Sequence, residues 1–205
     1  MNQPILADIK PTYMRQYLLT LLFAVAFVLP AAAVEAEIGG LWYELDESKH
    51  TATVINPDSL RQQGLPAYKD VMSLTLPEAV KHNNRKYKVV AVGDSAFAGC
   101  KRLAAIALPE RLTTIGASAF RNCTSIRVIE IPESVKLIGD EAFAGCKSLT
   151  AILFLSKTPP AMGADVFLDA ATHGNYQYIN VPCGTEDTYK SQWPTYKGAI
   201  RERCM

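Results

Sequence analysis

Five residues offer thiol chemistry: Cys100, Cys123, Cys146, Cys183 and Cys204. Thiols can bridge, hold zinc or carry electrons, and each use has its own spacing. Zinc sites pair cysteines and histidines a few residues apart, and no such pairing occurs in this sequence. Cys100, Cys123 and Cys146 instead recur every 23 residues in one apolar slot, which predicts buried free thiols packed as small hydrophobes. Cys183 and Cys204 stand outside that spacing and are placed to tie the C-terminal tail to the last strand. A loop of that length stabilises by about 3 kcal/mol when closed, in the chain-entropy account.

Other reactive groups are scattered. Gly93-Asp94-Ser95 looks like the start of a hydrolase nucleophile motif, yet the same slot later holds Gly116-Ala117-Ser118 and Gly139-Asp140-Glu141. A nucleophile elbow also needs glycine where Phe97 stands. A bend that caps a helical turn explains all three versions. His50, His82 and His173 fall in caps and loops with no nucleophile beside them, and are expected to face solvent. Glu78, Glu110 and Glu133 could stack into a carboxylate column able to hold calcium. As turn residues they are expected to be exposed instead. Asn122-Cys123-Thr124 fits a glycosylation sequon, but its middle residue is expected in the core. No catalytic residue, cofactor or metal is expected.

What positions these residues is a repeat. Phe97, Phe120 and Phe143 are spaced 23 apart, as are Leu103/Ile126/Leu149, Ile106/Ile129/Ile152, Leu108/Ile131/Phe154 and Val92/Ile115/Ile138. A fixed period with aligned apolar positions marks a solenoid, whose units bury their apolar faces only by stacking on one another. In each unit Leu103-x-x-Ile106-x-Leu108 and its equivalents end in strand-like alternation, which Pro109 or Pro132 stops. Ala119, Phe120 and Cys123 suit a single helical turn on the far side. Stacked units would place like side chains about 4.8 Å apart, with the phenylalanines near an offset-stacking distance.

The unit Ile115-Gly116-x-x-Ala119-Phe120-x-x-Cys123-x-x-Ile126-x-x-Ile129-x-Ile131-Pro132 resembles the BspA-like leucine-rich-repeat family of bacterial secreted and surface proteins. The resemblance implies an α/β repeat solenoid, a right-handed coil with short parallel strands on one face, a β-hairpin N-terminal cap and a helical C-terminal cap. It also implies a noncatalytic role in contact with proteins or cells, adhesion to host matrix among them.

Both flanks fit that plan. Leu18–Leu29 is almost wholly apolar, preceded by Lys10 and Arg15 and followed by Ala31-Ala32-Ala33-Val34-Glu35-Ala36. Such a run is a secretory signal over residues 1–36, cleaved after Ala33 or Ala36 and too short to span a membrane. No cysteine follows it before Cys100, so no lipid anchor is expected, and the mature protein would be secreted, surface-held or periplasmic. Residues 37–92 form the N-terminal cap. Within it Leu41–Leu45 and Thr51–Ile55 make a hairpin, Met72–Glu78 is a first repeat-like strand, and His82-Asn83-Asn84-Arg85-Lys86 is a turn. Residues 93–167 hold the repeats of 23–24 residues. Residues 168–205 carry the last strand, Tyr178–Pro182, and a capping helix that starts at Thr185 with Tyr189 and Trp193 facing inward. No sorting module is expected beyond it.

With a net charge of +1 the chain has no field to draw nucleic acid or acidic membranes. On the strands, residues between buried positions point outward. They form two columns, Ser73, Ala105, Val128, Ala151, Tyr178 and Thr75, Ala107, Glu130, Leu153, Asn180. A protein or glycan partner, such as a host matrix protein, would meet the shallow patch of Val128, Glu130, Leu153 and Tyr178. The competing expectations are an envelope or periplasmic structural protein without external ligand and, last, an exported hydrolase.

Overall fold

The computed structural model describes residues 33–57, 60, 66–170 and 178–204. The apolar leader up to residue 32 and His173 lie outside the described residues.

The N-terminal cap opens with β1 (Val34–Ile38), β2 (Leu41–Asp46) and β3 (Thr51–Ile55), an antiparallel meander. Tyr43 and Leu45 alternate inward from β2, and Ala52 and Val54 from β3. In the β2–β3 turn, Asp46 Oδ1 accepts the Ser48 hydroxyl at 2.6 Å and the N–H groups of Ser48 and Lys49 at 2.9 Å, and the Ser48 hydroxyl first, then the Lys49 N–H, hold the carboxyl well below the usual carboxylate range. A boundary at residue 36 cuts through β1, which begins at Val34 and buries Ala36.

β4 (Ser73–Thr75) is the first strand of the repeat kind. β5 (Ala79–His82) and β6 (Arg85–Val92) follow as a hairpin. Its two-residue turn puts Asn83 at φ 46° and Asn84 at φ 62°, the left-handed conformation that a tight hairpin demands and that asparagine tolerates.

Each coil then contributes two strands. β7 (Ala105–Ala107), β9 (Val128–Ile131), β11 (Ala151–Phe154) and β13 (Tyr178–Pro182) are the strands that the period predicts. β4 pairs with β7 in parallel, β9 with β11 and β11 with β13, while β7 lies alongside β9. A second ladder runs along another side of the coils, where β8 (Thr114–Ile115), β10 (Leu137–Ile138) and β12 (Ala161–Met162) extend the sheet from β3 and β6, every pair parallel. The column Val92/Ile115/Ile138 is its inward row, continued by Met162.

The expected helical turn at Ala119-Phe120-Cys123 is not helical. Alternate N–H groups there bond backward within the coil, Ala119 to Gly116 O, Arg121 to Ser118 O and Cys123 to Phe120 O. The residues between reach the next coil, Ser118 to Asp140 O, Phe120 to Ala142 O and Asn122 to Ala144 O, each at 2.8 Å. A helix keeps its N–H groups inside itself. Here a left-handed residue recurs on either side of each phenylalanine, Ser118 at φ 54° and Asn122 at φ 60° around Phe120, and frees every second amide for the neighbour. This makes a third line of stitching.

The core follows from these ladders. Phe97, Phe120, Phe143 and Phe167 form one stack with centroids 5.4, 5.3 and 5.8 Å apart. Tyr68 closes its N-terminal end at 5.0 Å and Tyr196 its C-terminal end at 5.3 Å.

The chain ends with α1 (Glu186–Gln192) and a strand that the repeat pattern does not announce, β14 (Ile200–Arg203), parallel to β13. Tyr178–Pro182 is therefore not the last strand of the ladder. Thr185 occupies the N-cap, but its hydroxyl donates to Pro182 O at 2.6 Å, and Glu202 of β14 accepts the Glu186 N–H instead. Tyr189 and Trp193 pack edge to face at 4.8 Å and both contact Phe154 of β11, while Tyr189 Oη donates to Ser156 O at 2.6 Å.

Candidate functional site

Three carboxylates with chemistry to offer, those of Glu78, Asp94 and Asp140, are occupied by stacking. Asp94 Oδ1 accepts the Ala117 N–H and Asp140 Oδ1 the Ala164 N–H, both across 2.8 Å, so the hydrolase-like slot joins one coil to the next. Ser95 sits at φ 56°, one of the left-handed positions of the turn. Glu78 spends its carboxylate on the Glu110 N–H at 2.7 Å. His50 is exposed in a hairpin turn and His82 is half-buried.

The cysteines divide in two groups. Cys100, Cys123 and Cys146 are fully buried free thiols. Burial pushes Cys100 up to about 11 and Cys146 up to about 12, with Cys123 raised as well. Burial thus favours the protonated thiol near neutral pH. Cys183 and Cys204 are exposed and joined, with Cα atoms 4.9 Å apart. Together with Glu202 they form the one potential metal-ligand trio among the described residues, and the bridge engages both sulfurs.

What remains is a face. The register places Val128, Ala151 and Tyr178 in one row and Glu130, Leu153 and Asn180 in the next. The second row continues to Arg201 on β14, which sequence reasoning did not reach. Val128 is 50% exposed and Tyr178 42%, with Ala151 between them, whereas Glu130 and Leu153 are direct neighbours. The odd-numbered partners of β11 point outward because Ile152 and Phe154 point into the core. Leu155 continues that alternation and is 46% exposed. Beside it lies a shallow groove of about 380 Å³, lined among others by Glu130, Leu153, Leu155, Asn180 and Arg203. Leu155 was legible as the next outward position after Leu153. Arg201 and Arg203 were not, since β14 lacks any repeat signature.

A stack of coils with parallel strand ladders and an open strand face defines a solenoid of the leucine-rich-repeat class. The chain belongs to the BspA type leucine rich repeat region family, whose profile matches residues 70–190 in 6 copies. Among solved structures it is similar to a leucine-rich repeat protein from Bacteroides ovatus, 26% identical with a TM-score of 0.55, over 72% of this chain and 34% of that one. A leucine-rich repeat protein from Bacteroides capillosus shares the fold at 20% identity and a TM-score of 0.56, over 72% of this chain and 97% of that one. The chain thus spans about a third of the length of the first and nearly all of the second. No curated protein matches it.

Proposed function

We propose that this chain is an exported, noncatalytic interaction protein that docks a protein partner on its strand face. One observation carries the reading: two in-register rows of outward residues, mainly small or apolar, stay uncovered on a parallel ladder whose opposite side is fully packed. A contiguous apolar patch left exposed on a rigid sheet and rimmed by polar residues marks a site of interaction. The carboxylates of Glu78, Asp94 and Asp140 each accept a backbone N–H of the following coil, which gives them a stacking role. Export rests on the leader-like N-terminal sequence, and among the described residues no helix is long and apolar enough to cross a membrane. Contact with other cells or host matrix is the role we assign to the exported protein.

The test is capture from extracellular-matrix extract by immobilised wild-type protein and by the variant carrying Val128→Lys with Leu153→Lys. Both positions face outward, so the thermal melt should be unchanged while capture is lost. Equal capture by the two proteins would place the binding surface elsewhere.

A further inference from the structure

We propose that the groove beside β14 takes an extended peptide bearing a cationic and an acidic side chain four residues apart, with an apolar side chain midway. The proposal rests on the strand-face reading and specifies its ligand. Glu130, Leu153, Asn180 and Arg201 stand in one row, contributed in turn by β9, β11, β13 and β14. Three strand steps separate the anionic end from the cationic end, about 14 Å at about 4.8 Å per step. Arg203, two residues beyond Arg201, lines the groove and adds a second cation to that end. Leu153 and Leu155 form the apolar middle.

Neither Glu130 nor Arg203 has an ion pair with another described residue, so their charges are available to a ligand. Beneath them the floor is rigid. Phe154 and Val181 are buried, Pro182 has a fixed backbone angle, and Cys183 is covalently held to Cys204.

An extended peptide rises about 3.3 Å per residue and points alternate side chains to one side. Residues i, i+2 and i+4 then share a face, with the outer two about 13 Å apart. That length matches the distance from β9 to β14. A cation over Glu130 places the apolar residue over Leu153 and Leu155 and a carboxylate at Arg203, which lines the groove, while Arg201, in the row adjoining that of Arg203, donates to Ile200 O at 2.7 Å. Because a peptide can run in either direction, the groove reads the sign and spacing of the charges and not their order.

The experiment is an NMR titration of the purified protein with three synthetic peptides, Lys-Ser-Leu-Ser-Glu, Lys-Ser-Leu-Ser-Lys and Lys-Ser-Leu-Glu. The first should bind about two- to fivefold more tightly than the others, the ratio that one exposed charge pair supplies. In the variant Arg201→Glu with Arg203→Glu the preference should invert toward Lys-Ser-Leu-Ser-Lys. A melt matching wild type certifies that this edge-strand variant is folded, and Arg203→Gln, which should merely level the preference, serves if it is not. Equal binding of all three peptides, no binding at all, or an unchanged preference in the charge-inverted variant would overturn the proposal. If capture of a matrix partner is still lost in Val128→Lys with Leu153→Lys, the strand-face reading survives that failure.

Discussion

The thiol of Cys123 donates to the carbonyl oxygen of Phe97, one coil earlier, across 3.0 Å, and Cys146 makes the same bond to Phe120 at 3.1 Å. The recurring cysteine is thus a buried donor that ties its own coil to the preceding aromatic turn. Serine would carry a larger desolvation cost in this slot and alanine would leave the carbonyl one partner short.

These thiols should resist alkylation of the native protein at pH 8 and react fully only after denaturation. The same burial sets an alkaline limit on stability. Folding raises Cys100 from 9.0 to about 11, Cys146 from 9.0 to about 12 and Tyr43 from 10.0 to about 12, so it favours their neutral forms. That contribution is fully present below the unfolded values and is lost as pH rises through the folded ones. Denaturant midpoints should stay level up to pH 9 and then fall steadily toward pH 12. Quantitative labelling of any of the three cysteines in the native state at pH 8 would contradict this account.

The glycine that precedes each aromatic turn is required by contact between coils more than by a bend. A Cβ on Gly139 would lie 2.5 Å from the Ala117 nitrogen and 2.7 Å from the Gly116 carbonyl carbon. Backbone atoms cannot yield as a side-chain end can, so Gly139→Ala should destabilise by about 1–3 kcal/mol. Gly198 has no atom within 4 Å of the equivalent position, and Gly198→Ala should leave the melting temperature unchanged. Equal melting temperatures for the two variants would show that the coils are not in close contact at Gly139.

On the proposed export, removal of the leader should leave Val34 as the first residue. Cleavage after Ala33 keeps all five pairings of β1 with β2, whereas cleavage after Ala36 removes the partners of Leu45, Glu44 and Tyr43. Intact-mass analysis of the exported protein should find an N-terminus at Val34. A chain starting at Glu37 would show that β1 is dispensable to the cap.

Much of this was legible because the period is strict. Identical spacing of Phe97, Phe120 and Phe143 forces equivalent environments, and the outward columns follow from alternation around Ile106, Ile129 and Ile152. The Asn83-Asn84 turn was readable for the same local reason that it forms. Three features were hidden. A two-residue strand such as Thr114–Ile115 is too short to show a period of its own. The aromatic turn imitates helical spacing while Ser118 and Asn122 adopt left-handed angles that spacing cannot reveal. β14 has one buried apolar residue, Ile200, and its pairing with β13 depends on where α1 returns the chain.

The two outermost strands carry a further implication. β1 presents Glu35 and Glu37, and β14 presents Arg201, Glu202 and Arg203, all exposed. A ladder of this type is open-ended in principle, since any coil offers backbone groups to another. Same-sign edges repel, so pairing of β1 with a second β1, or of the β14 arginines with their like, would bury charge against like charge. The charged edges therefore discourage two molecules from joining by like ends.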